Sequence, residues 1–154
     1  MYPLDYKTLD DNEIEKLIKK MIEISRNKGI KVTTQRILVF KELLKHTKEH
    51  PSAEELYERL KNKIYGLSLS TVYRTLTTFE KLGLVRRIPT PDGKAHFEIA
   101  NKPHGHFICQ NCGKVFDIDD IEPSLDSIKI LLEEKGFRPQ ICNVICYGFC
   151  HKCN

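Results

Sequence analysis

An α+β chain of two small domains is what this sequence predicts, and three observations predict it. Four segments with helical hydrophobic spacing come first and lead into a short pair of strands around a turn. The remaining third alternates strands with one further helix. Two C-x-x-C pairs, Cys109–Cys112 and Cys150–Cys153, bracket that third. At 154 residues the chain is long enough for one domain or two. Two is the expectation, because a metal held by four sulfurs lets a small half stand without a large core.

The N-terminal domain is expected over residues 1–100. Its first helix runs from about Asp11 to Lys28, with Ile14, Leu17, Ile18, Met21 and Ile22 at helical spacing and Gly29 as the stop. Thr33 caps a second helix through Ile37, Leu38, Leu43 and Leu44. After a connector from His46 to Pro51, Ser52 and Glu55 form the S-x-x-E pattern that opens a third helix through Leu56, Tyr57 and Leu60. Ser68 opens the fourth, SLSTVYRTLTTFEKLG, which Gly83 ends. Its buried stripe is Leu69, Val72, Leu76, Phe79 and Leu82. The segments LVRRIPT and KAHFEI then flank Pro91-Asp92-Gly93 as a β-hairpin whose first strand is shortened by Pro89 and Pro91.

Helices followed by a hairpin is the order of a winged helix-turn-helix, in which the last helix before the wing enters the DNA major groove. The polar face of the fourth helix has the chemistry for it. Ser70, Thr71, Tyr73, Arg74 and Thr77 offer one guanidinium for guanine and several hydroxyls for phosphates or thymine methyls. Arg86 and Arg87 begin the wing, within reach of backbone phosphates. Charge agrees in sign: residues 1–90 hold 18 Lys/Arg against 12 Asp/Glu, a net of +6, and residues 91–154 a net of −2. The alternative is an ordinary solvated polar stripe.

A hinge is expected at about 101–103, and residues 104–154 form the second domain. It reads as a strand (His106–Cys109), a knuckle, a strand (Lys114–Ile118), a helix (Ser124–Lys135) carrying Leu125, Ile128, Leu131 and Leu132 on one face, and a strand (Arg138–Phe149). So few strands leave an open sheet edge, for which pairing with a second copy is a common solution.

Two metal sites are expected. Cys109, Cys112, Cys150 and Cys153 can close a tetrahedral shell around one structural Zn²⁺, and a closed shell binds no substrate. Two disulfides or inert thiols are the alternatives. Cys142 and Cys146 fall outside that set and read as buried small side chains, with a redox pair or an alternative zinc ligand set as the sharper reading. The second site is more open. His104 and His106 alternate on an extended segment and face one way. Asp117 lies on the next strand, Glu98 ends the wing and His50 lies in the connector. Three imidazoles and two carboxylates suit Fe²⁺ or Mn²⁺ better than a structural zinc.

These residues carry a family resemblance. The stretches VTTQR, HPSAEELY, LSLSTVYRTL, FEKLGLV, HGHFICQNCGK and the closing C-x-x-C resemble, in order and spacing, the ferric-uptake-regulator family of bacterial metal-dependent repressors over nearly the full length. The resemblance implies a winged-helix domain, a C-terminal dimerisation domain, and homodimers that repress at palindromic double-stranded operators when metal-bound. Carried over by position, the regulatory ligands fall on His50, Glu98, His104, His106 and Asp117. The structural zinc falls on the four paired cysteines, and the groove-reading helix on the segment with Tyr73 and Arg74. Asp117 is similar to the peroxide-responsive branch, whereas Glu98 is similar to the iron-uptake branch. Iron-uptake or zinc-uptake control is the alternative within the family, although zinc-uptake members usually add a sensing cysteine and none precedes His104. Pro103 and Gly105 stand where some iron-uptake members carry extra ligands, so no third metal site is implied.

No apolar run approaches the roughly 20 residues of a membrane span. The opening MYPLDYKTLDDNE has no secretory pattern, so a cytoplasmic protein with reduced thiols is expected. A zinc enzyme is the remote alternative. A zinc deaminase would show H-x-E followed by P-C-x-x-C, and this chain has H-x-H and no such proline, so no catalytic residues are assigned.

Overall fold

The computed structural model describes residues 9–100 and 103–154. The chain divides into two compact units, Met1–Asn101 and Lys102–Asn154. Within the stretch read as a hinge, Asn101 and Lys102 lie outside the described residues, as do residues 1–8.

The first unit holds α1 (Asp11–Asn27), α2 (Thr34–His46), a single 3-10 turn (Thr47–Glu49), α3 (Ala53–Leu60), α4 (Leu69–Lys81), β1 (Val85–Pro89) and β2 (Ala95–Ile99). Each helix starts at a side-chain cap. Asp10 and Ser52 each make a reciprocal box with a glutamate three residues on, Glu13 and Glu55. Thr33 and Ser68 accept from the Arg36 and Thr71 N–H groups. The strands pair antiparallel, with Arg86 opposite Glu98 and Ile88 opposite His96.

The core of this unit is where the hydrophobic periodicity converges. Phe40 of α2 meets Phe79 of α4 edge-on, with ring centroids 5.2 Å apart. Val39, Leu43, Leu56, Val72, Leu76 and Phe97 are fully enclosed around that pair. Val39 and Phe40 extend the expected stripe of α2, whereas Ile37 and Leu38 are only partly covered.

The second unit holds β3 (Gly105–Cys109), β4 (Val115–Ile118), α5 (Glu122–Glu134) and β5 (Ile145–Gly148). The sheet order is β4-β3-β5, with β3 antiparallel to β4 and parallel to β5. Gly105 suits that closeness: a Cβ there would lie 3.2 Å from the Val144 carbonyl oxygen, so a larger residue would have to push the neighbouring segment back slightly. The last strand is much shorter than the expected Arg138–Phe149. Pro139 has no N–H to donate to a ladder, and pairing with β3 begins only at Ile145. The expected burial of the two extra cysteines is corrected as well: Cys146 is exposed and Cys142 half-buried.

The amphipathic face of α5 is only partly covered. Leu125 is buried, but Ile128 and Leu131 are exposed, as are Phe137, Tyr147 and Phe149. Among the described residues, no helix is long and apolar enough to cross a membrane.

Leu76→Ala is expected to lower the unfolding free energy of the full chain by about 2–5 kcal/mol, because it opens a cavity at the centre of the helical core. Urea unfolding followed by circular dichroism measures it.

Candidate metal centres and nucleic-acid interface

The four paired cysteines converge within the second unit. The knuckle after β3 and the turn after β5 bring all four sulfurs within 4.8 Å of one another. Cys112 Sγ and Cys150 Sγ are 3.9 Å apart. A tetrahedral Zn–S shell with ~2.3 Å bonds requires about 3.8 Å between sulfurs. The backbone prepares the site: the Cys150 N–H donates to Cys109 Sγ over 3.4 Å. N–H groups of Cys112 and Cys150 hold the Cys109 thiol down to about 6. Cys153 goes the other way: although the Asn111 side chain lowers it, the Cys150 sulfur, burial and the remaining sulfurs push it up to about 11. Four sulfurs so close cannot all carry charge unless a cation sits among them, so the cluster fits a thiophilic divalent ion.

His/carboxylate donors occur in each unit. In the first, the connector after α2 delivers His50 at φ +49°, a left-handed conformation uncommon outside glycine, immediately before Pro51. His50 is 2% exposed, and its Nε2 lies 3.4 Å from Glu98 Oε2 on β2. In the second unit, His106 of β3 is opposite Asp117 of β4 in the ladder. The rings of His104 and His106 meet edge-on with centroids 4.7 Å apart. Asp117 Oδ1 is 3.5 Å from His104 Nε2 and 3.8 Å from His106 Nε2. Imidazole and carboxylate donors grouped in this way fit Fe²⁺, Mn²⁺ or Zn²⁺.

The connector carrying His50 is fastened to the outer edge of β2. Phe97 N–H donates to the Pro51 carbonyl over 2.9 Å, and Ile99 N–H to Thr47 Oγ1 over 2.9 Å. His96, which the sequence reading did not single out, adds a third link through its ring to the His50 carbonyl oxygen. Its other nitrogen meets Asp92 at the tip of the hairpin. Burial works against the Asp92 charge, yet hydrogen bonds from Thr90, His96 and the Lys94 N–H hold its carboxyl down to about 2.

The polar residues of α4 and β1 divide into two groups. Ser70 and Arg74 are exposed. Thr71 is half-buried, with its hydroxyl 2.9 Å from Ser68 Oγ. Tyr73, by contrast, donates its hydroxyl to Glu54 Oε1 of α3 over 2.8 Å. Burial and that carboxylate push the phenol up from its usual range. Arg87 pairs with Glu80 at 3.2 Å, reaches Thr77 Oγ1 at 3.4 Å and lies over the Phe97 ring, 5.1 Å from its centroid. Arg86 is half-buried on β1.

A cleft of about 270 Å³ opens beside Arg74, lined by Lys31, Thr33, Gln35, Arg36, Thr71, Arg74 and Thr75. Three cations and no carboxylate line it. Lys31 and Arg36 were not among the residues singled out from the sequence. The visible signal was VTTQR at the start of α2, read for its helix cap and not for the charges around it.

Comparison with known proteins agrees with this geometry. The profile described as "Ferric uptake regulator family" matches residues 27–147. The chain is 32% identical over 138 residues to the peroxide operon regulator of Bacillus subtilis (strain 168), covering 89% of this chain and 93% of that one. It is 35% identical over 129 residues to the ferric uptake regulation protein of Bordetella parapertussis, covering 83% and 92%. Among solved structures, the ferric uptake regulator from Pseudomonas aeruginosa with manganese superposes with a TM-score of 0.71 at 34% identity, covering 84% of this chain and 97% of that one. The chain belongs to the ferric uptake regulator family.

Cys150→Ser is expected to lower bound metal by one ion per chain and to abolish amide protection across β3 and β4. The enclosed helical core of the first unit should keep its protection. Elemental analysis and hydrogen exchange by mass spectrometry read the two effects.

Proposed function

We propose that this family member is a homodimeric, metal-dependent repressor in the cytosol, which binds a palindromic duplex through its first unit and senses peroxide through iron. A structural Zn²⁺ occupies Cys109, Cys112, Cys150 and Cys153. A regulatory Fe²⁺ or Mn²⁺ takes ligands from His50 and Glu98 of the first unit and His104, His106 and Asp117 of the second. The observation that carries this reading is the buried His50–Glu98 pair, whose histidine sits on the connector leading into α3 and whose carboxylate is on β2. A ligand in that position ties occupancy of the site to the segment before the two helices that face DNA. A bound ion shifts the conformational balance only by its differential affinity for the DNA-binding arrangement.

A bound Fe²⁺ would supply one-electron reducing chemistry toward peroxide beside these ligands, which Zn²⁺ would not. His50 and His104 are the residues expected to be oxidised, and loss of either ligand releases the DNA-binding arrangement. Asp117 favours this peroxide-responsive branch. Glu98 supports a second reading, iron-uptake control through the same ligands.

On DNA, Arg74 and Ser70 read base edges. Lys31, Arg36, Arg86 and Thr71 hold phosphates, and the basic cleft beside α4 takes the backbone. Tyr73, Thr77 and Arg87 shape that surface through their contacts with Glu54, Glu80 and Phe97, and present their remaining hydrogen-bonding capacity to the duplex. The exposed apolar face of α5 and the open edge at β5 support self-association of the second unit. The zinc shell is closed, which supports a regulator and not an enzyme.

Anaerobic fluorescence anisotropy on the promoter of the protein's own gene tests this. Binding should require Fe²⁺ or Mn²⁺ beyond the structural zinc and should be lost after a peroxide pulse with Fe²⁺ only. Binding that survives peroxide with both metals favours iron-uptake control. Failure to bind any duplex of a promoter library sinks the repressor reading. In the same assay, Lys31→Ala should weaken all duplexes alike and flatten the salt dependence by about one unit of slope. Arg74→Ala should instead remove about 1–3 kcal/mol of discrimination between operator and scrambled duplex.

A further inference from the structure

His96 lies on β2 between two features that the function keeps apart, the tip of the wing and the connector that carries His50. Its Nδ1 is 2.6 Å from the His50 carbonyl oxygen, and its Nε2 is 2.9 Å from Asp92 Oδ2. The backbone carbonyl oxygen can only accept, so Nδ1 donates to it, and Nε2 completes the link to the Asp92 carboxyl. Asp92 is itself fixed. Its Oδ1 accepts the Lys94 N–H over 2.9 Å and the Thr90 hydroxyl, and Thr90 Oγ1 also reaches the Lys94 carbonyl. The hairpin turn is therefore a small hydrogen-bonded network, and the His96 ring links it to the backbone of His50.

The receiving end is a constrained one. His50 stands at φ +49° before a proline, so the direction of its imidazole depends on how its peptide group is held. Pro51 and Ser52, the next two residues, are held against β2 by the Phe97 N–H bond and by a bridge between Ser52 and His96. Glu98, two residues along the strand from His96, faces the same way. The ring thus bridges the backbone of His50 and the wing turn.

We propose that His96 is a positioning residue that joins the wing turn to the regulatory ligand His50, so that wing geometry and metal-ligand geometry change together. This rests on the reading of His50 as a regulatory ligand. Metal occupancy fixes the His50 backbone, His96 carries that constraint to Asp92, and the wing is held in its DNA-binding shape. By linkage, a duplex that engages the wing raises metal affinity by the same factor as metal raises duplex affinity.

The experiment measures Mn²⁺ affinity of the zinc-loaded full-length protein by titration calorimetry. It also measures duplex affinity with and without Mn²⁺; the ratio of the two duplex constants is the coupling factor. His96→Leu removes both hydrogen bonds and should weaken Mn²⁺ about tenfold, the scale of a lost supporting hydrogen bond around a metal ligand. It should also reduce the coupling factor. His96→Asn places an amide donor near the position of Nδ1 but cannot span to Asp92. It should recover most of the Mn²⁺ affinity and leave the coupling reduced, a separation that general destabilisation would not produce. Asp92→Ala, at the exposed turn, should lower the coupling with little change in Mn²⁺ affinity, and it tests the link even if His96→Leu fails to fold. Coupling and Mn²⁺ affinity within twofold of the original in all three variants would overturn the proposal. His50→Ala is the control on the underlying reading. If it leaves Mn²⁺ binding intact, the assignment of His50 fails and the present inference with it. If it abolishes binding while the His96 and Asp92 variants behave as the original, only the positioning role is lost.

Discussion

A two-stranded hairpin is a marginal structure in water, and β2 of the first unit escapes that limit by being bonded along both edges. One edge pairs with β1. The other receives the connector between α2 and α3, through the Pro51 carbonyl, the Thr47 hydroxyl and the His50 carbonyl. Remove that second edge and nothing fixes His50 against Glu98, because the two are 48 residues apart in sequence. The wing, the 3-10 turn and the start of α3 are in this sense one piece. Phe97 anchors it to the helical core by being fully enclosed there. It also gives Arg87 an aromatic face to rest on.

The second unit is built on a different economy. Its enclosed apolar residues are few, with Ile108, Ile121 and Leu125 the principal ones beside the cysteines. A three-stranded sheet with one helix and so small a core lies below the size at which burial alone stabilises a fold. The sulfur cluster ties the knuckle after β3 to the end of the chain and so closes the sheet at one side. Phe137, Tyr147 and Phe149 of this unit stand exposed, so its apolar surface is only partly covered.

Much of this was legible in the sequence because it is governed by local rules. Helix starts followed from Thr33, Ser52 and Ser68, each of which caps as its side-chain chemistry dictates. The candidate metal clusters stood out because cysteines in C-x-x-C pairs and histidines in H-x-H have few other uses, and the same side chains are the ones that converge. What was not legible depends on neighbours distant in the chain. Nothing near Tyr73 says that Glu54, nineteen residues earlier, accepts a hydrogen bond from its hydroxyl. Nothing near Arg87 reveals Phe97 beneath it. The last strand was read too long because an apolar stretch says only that a segment can be extended. It does not say whether a partner strand is present, and Pro139 removes a donor where one would be needed. The basic cleft was missed for a related reason, since Lys31, Arg36 and Arg74 come from separate segments whose charges look ordinary one at a time.

The left-handed backbone at His50 has a consequence for anyone who alters this protein. Glycine adopts that conformation without the roughly 1–2 kcal/mol that an ordinary side chain incurs there, so His50→Gly removes local strain. The same change also deletes a side chain that is 2% exposed and lies 3.4 Å from Glu98, so the relief of backbone strain is offset by a cavity beside a buried carboxylate. One residue thus sets both the local strain and the local packing that holds it.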